Sequence, residues 1–216
     1  MGKKKKKIVL PQLPAGIRVI DTHCHLDMIT SGDDIYTTIT RAAASGVAPI
    51  ITVGIDLESS KKAIQFAAQY DSVYATVGIH PHNVQELNDS SYAELGKLCR
   101  KPKVVAYGEI GLDYVKQYAP KGIQREHYAR QVDLAKKMGL PLVIHDREAH
   151  DDILRILNKK APFPAGGVMH CFSGDWQACL CGLDRVVRND GTRYLHMDLV
   201  QNHSQAFMKI PTSLIK

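Results

Sequence analysis

VIDTHCHLD, residues 19–27, opens on an apolar pair and closes on two histidines and an aspartate. A short apolar run with a polar tip, followed by helical periodicity, is a βα unit. The construction returns at APIITVGID (48–56), VYATVGIHPH (73–82), VVAYGEIGLDY (104–114), LVIHDRE (142–148) and GVMHCFSG (167–174). Six strands are expected from these runs. After Ile123, the residues Tyr128, Val132 and Ala135 recur at i, i+4 and i+7, and Gly139 with Pro141 ends that helix. Ser59 or Ser60 is the expected cap of a helix carrying Ala63, Ile64, Ala67 and Ala68, and Leu154 to Leu157 fit the apolar face of the helix after the fifth strand. Strands alternating with helices imply a parallel sheet, either doubly wound or closed. An open sheet gathers its ligands mainly at one switch point, whereas here five of the six runs end in histidines or carboxylates. Chemistry at strand end after strand end favours an α/β fold of the TIM-type (β/α) barrel class.

With 216 residues, 44% hydrophobic and 23% charged, the composition is that of a soluble globular protein. The formal charge of +6 comes largely from Lys3 to Lys7, which leaves the body close to neutral. That lysine block beside Pro11 and Pro14 reads as a solvated tail, or as a nuclear-import or nucleic-acid-tethering segment. It is followed by too short an apolar run for a signal peptide, and no membrane anchor is expected. Five cysteines without a CxxC indicate a reducing compartment, the cytoplasm or the nucleus. No GxGxxG or GxxxxGK[ST] occurs, so no nucleotide cofactor is indicated.

His23 and His25 stand at i and i+2 on the first run, so strand alternation turns both imidazoles to one face. Glu109 closes the fourth run, His145 the fifth and His170 the sixth, with Asp113 and Arg147 just beyond. In a barrel these tips converge on one mouth. Imidazoles plus a carboxylate suit Zn, Mn or Mg, and two such ions about 3.5–4 Å apart form a hydrolytic centre. His82, His127, His150, His196 and His203 show no partner pattern, and Trp176 is read as a packing residue. Cys24 and Cys171 alternate away from the neighbouring histidines and read as small apolar side chains.

IDTHCHLD, VGIHPH, GEIGLDY, LVIHDRE and HCFSG resemble, in order, the motifs of the TatD-like metal-dependent hydrolases, a deoxyribonuclease family of the amidohydrolase superfamily. Together they cover about residues 18 to 175. The resemblance implies two divalent ions, with His23 and His25 on the first, Glu109 bridging as the catalytic carboxylate, and His145 with His170 completing the second. It implies nucleic acid as substrate, DNA foremost. His80 and Arg147 are then phosphate contacts, against the alternative of a histidine turn and a surface arginine. The same centre would also serve hydrolysis of an ester or amide such as an aminoacyl-tRNA linkage.

The runs recur at about 30 residues each, so eight units from Val19 would reach about residue 258, as a barrel of roughly 250 residues requires. Six to seven units fit here. After Trp176 the similarity fades, and the segment from Gly182 to Lys216 shows neither a clear strand-helix period nor the family's ETDxP-type motif, whose aspartate serves the first metal. Tyr194 to Val200 is a candidate seventh strand bearing Asp198, but nothing around Asp198 matches that motif. The organisation expected is a basic tail (1–17), a barrel portion with the metal site (18–181) and a divergent segment (182–216). An incomplete barrel with impaired activity, or a non-catalytic paralogue, is the corresponding expectation.

Overall fold

The computed structural model describes residues 17–30 and 32–170. Six parallel strands form one sheet in sequential order: β1 (Val19–Cys24), β2 (Val47–Val53), β3 (Val73–Val77), β4 (Val104–Asp113), β5 (Leu142–Arg147) and β6 (Gly167–His170). Helices connect them: α1 (Ile35–Ala44), α2 (Leu57–Gln69), α3 (Asp89–Leu98), α4 (Lys121–Met138) and α5 (His150–Lys160). Sequential order without a switch point among the described residues is barrel winding, as the strand tips imply. Short 3-10 turns at Leu26–Met28 and Pro81–Glu86 follow β1 and β3. Among the described residues no helix is long and apolar enough to cross a membrane.

The periodicity of α4 is realised: Tyr128, Val132 and Ala135 are fully buried and Gly139 closes the helix in the left-handed conformation at φ 68°. In α5 the buried residues are Ile153 and Leu157. The start of α2 differs from the sequence reading. Its cap is Asp56, whose carboxylate accepts from Ser59 N at 2.7 Å while Ser59 Oγ accepts from Asp56 N at 2.9 Å. Ser59 is thus the third residue of a reciprocal capping box, because a carboxylate stands three residues ahead of it. Ser60, fully buried, instead lies with its Oγ 3.3 Å from Gly78 N, tying α2 to the end of β3.

Two glycines let β4 and β5 approach closely beside the strand tips. A Cβ on Gly108 would stand 2.6 Å from Val143 O, and one on Gly111 (φ +150°) would stand 1.9 Å from His145 O. The register pairs Gly111 with His145 and His145 with His170, so β4, β5 and β6 deliver their polar ends at one level. The lysine tail and everything beyond His170 lie outside the described residues. That includes the divergent segment 182–216, the candidate strand 194–200 with Asp198, and Cys171, Trp176, His196 and His203.

Candidate metal centre

Glu109, 3% exposed, sits where the strand ends meet. One carboxylate oxygen is 2.8 Å from His145 Nδ1; the other is 3.4 Å from His23 Nε2 and 4.0 Å from His25 Nε2. Burial alone would raise this carboxyl, but the His145 and His23 imidazoles against it, with His80 nearby, hold it well below the usual carboxylate range.

His25 is arranged as a lone-pair donor. His25 Nδ1 lies 3.0 Å from the Val53 carbonyl, which can only accept, so Nδ1 carries the proton and Nε2 presents its lone pair toward Glu109. Both ring nitrogens of His23 are buried and make no hydrogen bond among the described residues. Leaving such atoms without partners is costly unless a cation takes the lone pair. His145 stands between two acceptors, with Nδ1 on Glu109 and Nε2 3.3 Å from Asp113. It therefore either holds both protons or turns a lone pair to a cation beside Glu109. The residues present fit divalent metal.

Two groups of three donors lie within 4.8 Å of one another among the described residues: His23, Glu109 and His170; and His80, Glu109 and His145. Glu109 belongs to both. His170 is stacked on His23, ring centroids 3.5 Å apart, and is also in register with His145. His80 is distinguished by its tautomer. Its Nδ1 accepts from His82 N at 3.2 Å, which places the proton of the neutral ring on Nε2 and makes that atom a donor. Burial, with His145 alongside, pushes this imidazole down to about 3. Arg147 lines the same cleft of ≈ 660 Å³, its guanidinium 3.6 Å from Asp113.

Asp113 has a larger part than the sequence gave reason to expect. Fully buried, it takes His82 Nε2 at 2.8 Å and His145 Nε2 at 3.3 Å, and its other oxygen accepts from Val115 N and Lys116 N. Burial opposes its ionisation, but the backbone donor at Lys116 and the His82 ring outweigh this and bring it to about 2. Three histidines without a partner pattern in the sequence have partners in the fold. His82 meets Asp113, His127 Nδ1 lies 2.8 Å from the Tyr92 hydroxyl, and His150 Nδ1 lies 2.6 Å from Asp146. The first two pairs join distant elements, which no local pattern reveals; the third is an i, i+4 pair on DREAH, visible in the sequence. Cys24 donates weakly to Ile51 O, and burial with Asp21 nearby pushes its thiol up to about 12, an inert side chain as expected.

An acceptor behind a ligating imidazole typically changes metal affinity 10- to 100-fold. Asp113→Asn is therefore expected to weaken metal binding by about that factor while leaving the bound number unchanged at saturation. Competition with a chromophoric chelator measures it; wild-type affinity in the variant would remove Asp113 from this role.

The profile of the family described as TatD related DNase matches residues 20–194. Over 156 residues the chain is 38% identical to the "uncharacterized metal-dependent hydrolase YabD" of Bacillus subtilis, an alignment covering 72% of this chain and 61% of the relative. It is 38% identical over 139 residues to a Cronobacter sakazakii protein named "3'-5' ssDNA/RNA exonuclease TatD", covering 64% and 53%. The crystal structure of the TatD homologue YjjV from Escherichia coli K12 superposes with a TM-score of 0.72 at 34% identity, over 77% of this chain and 65% of that one. The chain thus spans between about half and two thirds of the length of these relatives.

Proposed function

The chain belongs to the TatD-related DNase family of metal-dependent hydrolases, and from that premise we propose that it hydrolyses phosphodiester bonds of nucleic acid, single-stranded DNA foremost. The observation that carries the reading is Glu109, a buried carboxylate held between His23, His25 and His145, with both nitrogens of His23 lacking hydrogen bonds among the described residues. His23 and His25 would hold one ion and His145 with His170 a second, with Glu109 shared, although among the described residues His170 groups with His23 and Glu109, and His145 with His80 and Glu109. One carboxylate with two oxygens would serve two dications and offset their mutual repulsion. Divalent ions in such a centre supply Lewis-acid stabilisation of charge on phosphoryl oxygens.

The remaining residues bind and orient. His25 is fixed in one tautomer by Val53 O, and Asp113 backs His145. His80, with its proton on Nε2, offers a neutral donor to a phosphate oxygen, and Arg147 offers a cationic one. The relatives named exonuclease support nucleic acid as the substrate class.

The test is product analysis with Mg, Mn or Zn on end-labelled single- and double-stranded DNA, RNA and aminoacylated tRNA. Metal-dependent shortening of single-stranded DNA is expected, abolished by chelator. Release of the amino acid from intact tRNA with no oligomer cleaved would transfer the reading to an ester hydrolase. Bound metal without hydrolysis of any of these would leave a non-catalytic metal-binding protein.

A further inference from the structure

We propose that Tyr118 is the platform on which a nucleobase stacks beside the scissile linkage; this rests on the nucleic-acid reading above and specifies how that substrate is held. Seven large apolar side chains are exposed among the described residues, and two of them, Tyr118 at 62% and Met28 at 49%, line the cleft that also contains Glu109, His80 and Arg147. An exposed aromatic ring in the lining of a polar cleft is placed to contact a ligand.

The surroundings hold Tyr118 outward. Asp113 fastens the turn before it through Val115 N and Lys116 N, and Gln117 donates its side-chain amide to Tyr114 O at 2.9 Å. Gln117 itself adopts φ 46°, a conformation disfavoured for a residue with a side chain. On the other side Ala119 is fully buried and its carbonyl accepts from Gln124 Nε2 at 2.7 Å. Tyr118 is the projecting residue between two anchored ones. Its ring stands at 86° to the His82 imidazole, centroids 4.7 Å apart, and His82 is in turn held by Asp113. The Tyr118 hydroxyl has no hydrogen-bond partner among the described residues, so nothing there engages the side chain through its polar end.

A flat ring presented on a fixed loop, next to a neutral and a cationic donor, matches a ligand with an aromatic plane and an adjacent anion. A nucleotide has both. Stacking is tolerant of base identity because every base has a π face. The proposal therefore entails dependence on the presence of a base and little dependence on which base it is.

The experiment compares binding of a fluorescently labelled single-stranded oligodeoxynucleotide, and of the same oligomer with abasic terminal residues, to wild type, Tyr118→Ala and Tyr118→Phe. Metal content and thermal midpoint are measured on each protein. Tyr118→Ala is expected to weaken binding of the normal oligomer about 5- to 100-fold, to leave metal content unchanged, and to bind the abasic oligomer as wild type does. Tyr118→Phe should stay within about twofold of wild type, because the ring is kept. Loss in Tyr118→Phe equal to that in Tyr118→Ala would assign the effect to the hydroxyl and overturn stacking. Wild-type binding in Tyr118→Ala would overturn the proposal while leaving nucleic acid as substrate. No binding or cleavage of either oligomer by wild type would overturn both.

Discussion

Glu109→Gln is expected to depopulate both halves of the metal centre together and to lower hydrolysis by at least about 10²- to 10⁴-fold, the range associated with loss of one positioned catalytic group. The replacement keeps volume and shape, so packing among His23, His25 and His145 is preserved while the charge is removed. A neutral amide presents one acceptor oxygen and two N–H donors, and those donors would face imidazole lone pairs otherwise available to metal. His25→Ala is the contrasting variant. Its Nε2 is 4.0 Å from Glu109 and it is assigned with His23 to one ion alone, so its loss should reduce occupancy of that ion and spare the other. Elemental mass spectrometry after buffer exchange gives the stoichiometry. A second readout is the rise in thermal midpoint on adding metal, which measures binding to the folded state. That rise should vanish in Glu109→Gln and persist, reduced, in His25→Ala. An unchanged metal-to-protein ratio in Glu109→Gln would sink the shared-ligand assignment.

Particular residues show what the sequence made legible. The strands are readable because a short apolar run precedes a polar tip in each, and the parallel register sets the tips of β4, β5 and β6 at one level. Helix α4 was readable because its spacing and its terminal glycine agree. Both signals are local. The cap of α2 reads as a serine in the sequence because Asp56 also ends the preceding apolar run, and membership of the loop or the helix depends on a hydrogen bond formed only once the turn closes. In the sequence Asp113 stands out only as lying beyond a strand end. Its grip on His82 and His145 joins positions 31 and 32 residues apart, and no periodicity encodes such a meeting. The tautomer of His25 is out of reach for the same reason, since Val53 O stands 28 residues away, whereas that of His80 is set within its own turn by His82 N two residues on. Chemistry-bearing residue types are local, and their orientation toward one another is tertiary.

Gly111→Ala should be the most damaging small change outside the metal ligands. Gly111 faces His145 across the β4–β5 pairing, and its φ of +150° is open to glycine and strained for any other residue. An added Cβ would stand 1.9 Å from the His145 carbonyl oxygen and 2.9 Å from its backbone nitrogen. These are backbone atoms within a hydrogen-bonded ladder, so no rotamer change relieves the contact and β5 must shift away from β4. Strain of this kind together with the disfavoured conformation is expected to cost about 3 kcal/mol or more. The same shift would carry His145 off Glu109 and Asp113, so metal affinity should fall although no ligand has been replaced. Gly122→Ala separates site-specific crowding from the general effect of adding a methyl group. A Cβ there meets nothing within 4 Å, and the residue lies in the first turn of α4. That substitution should be neutral or stabilising by up to about 1 kcal/mol, as expected where glycine only adds unfolded-state entropy. Urea unfolding curves of the two variants, with metal content measured on each, decide the matter. If Gly111→Ala unfolds at the wild-type midpoint and binds metal as wild type does, then β5 has room to accept a side chain and the close approach of the two strands is not what holds His145 against Glu109.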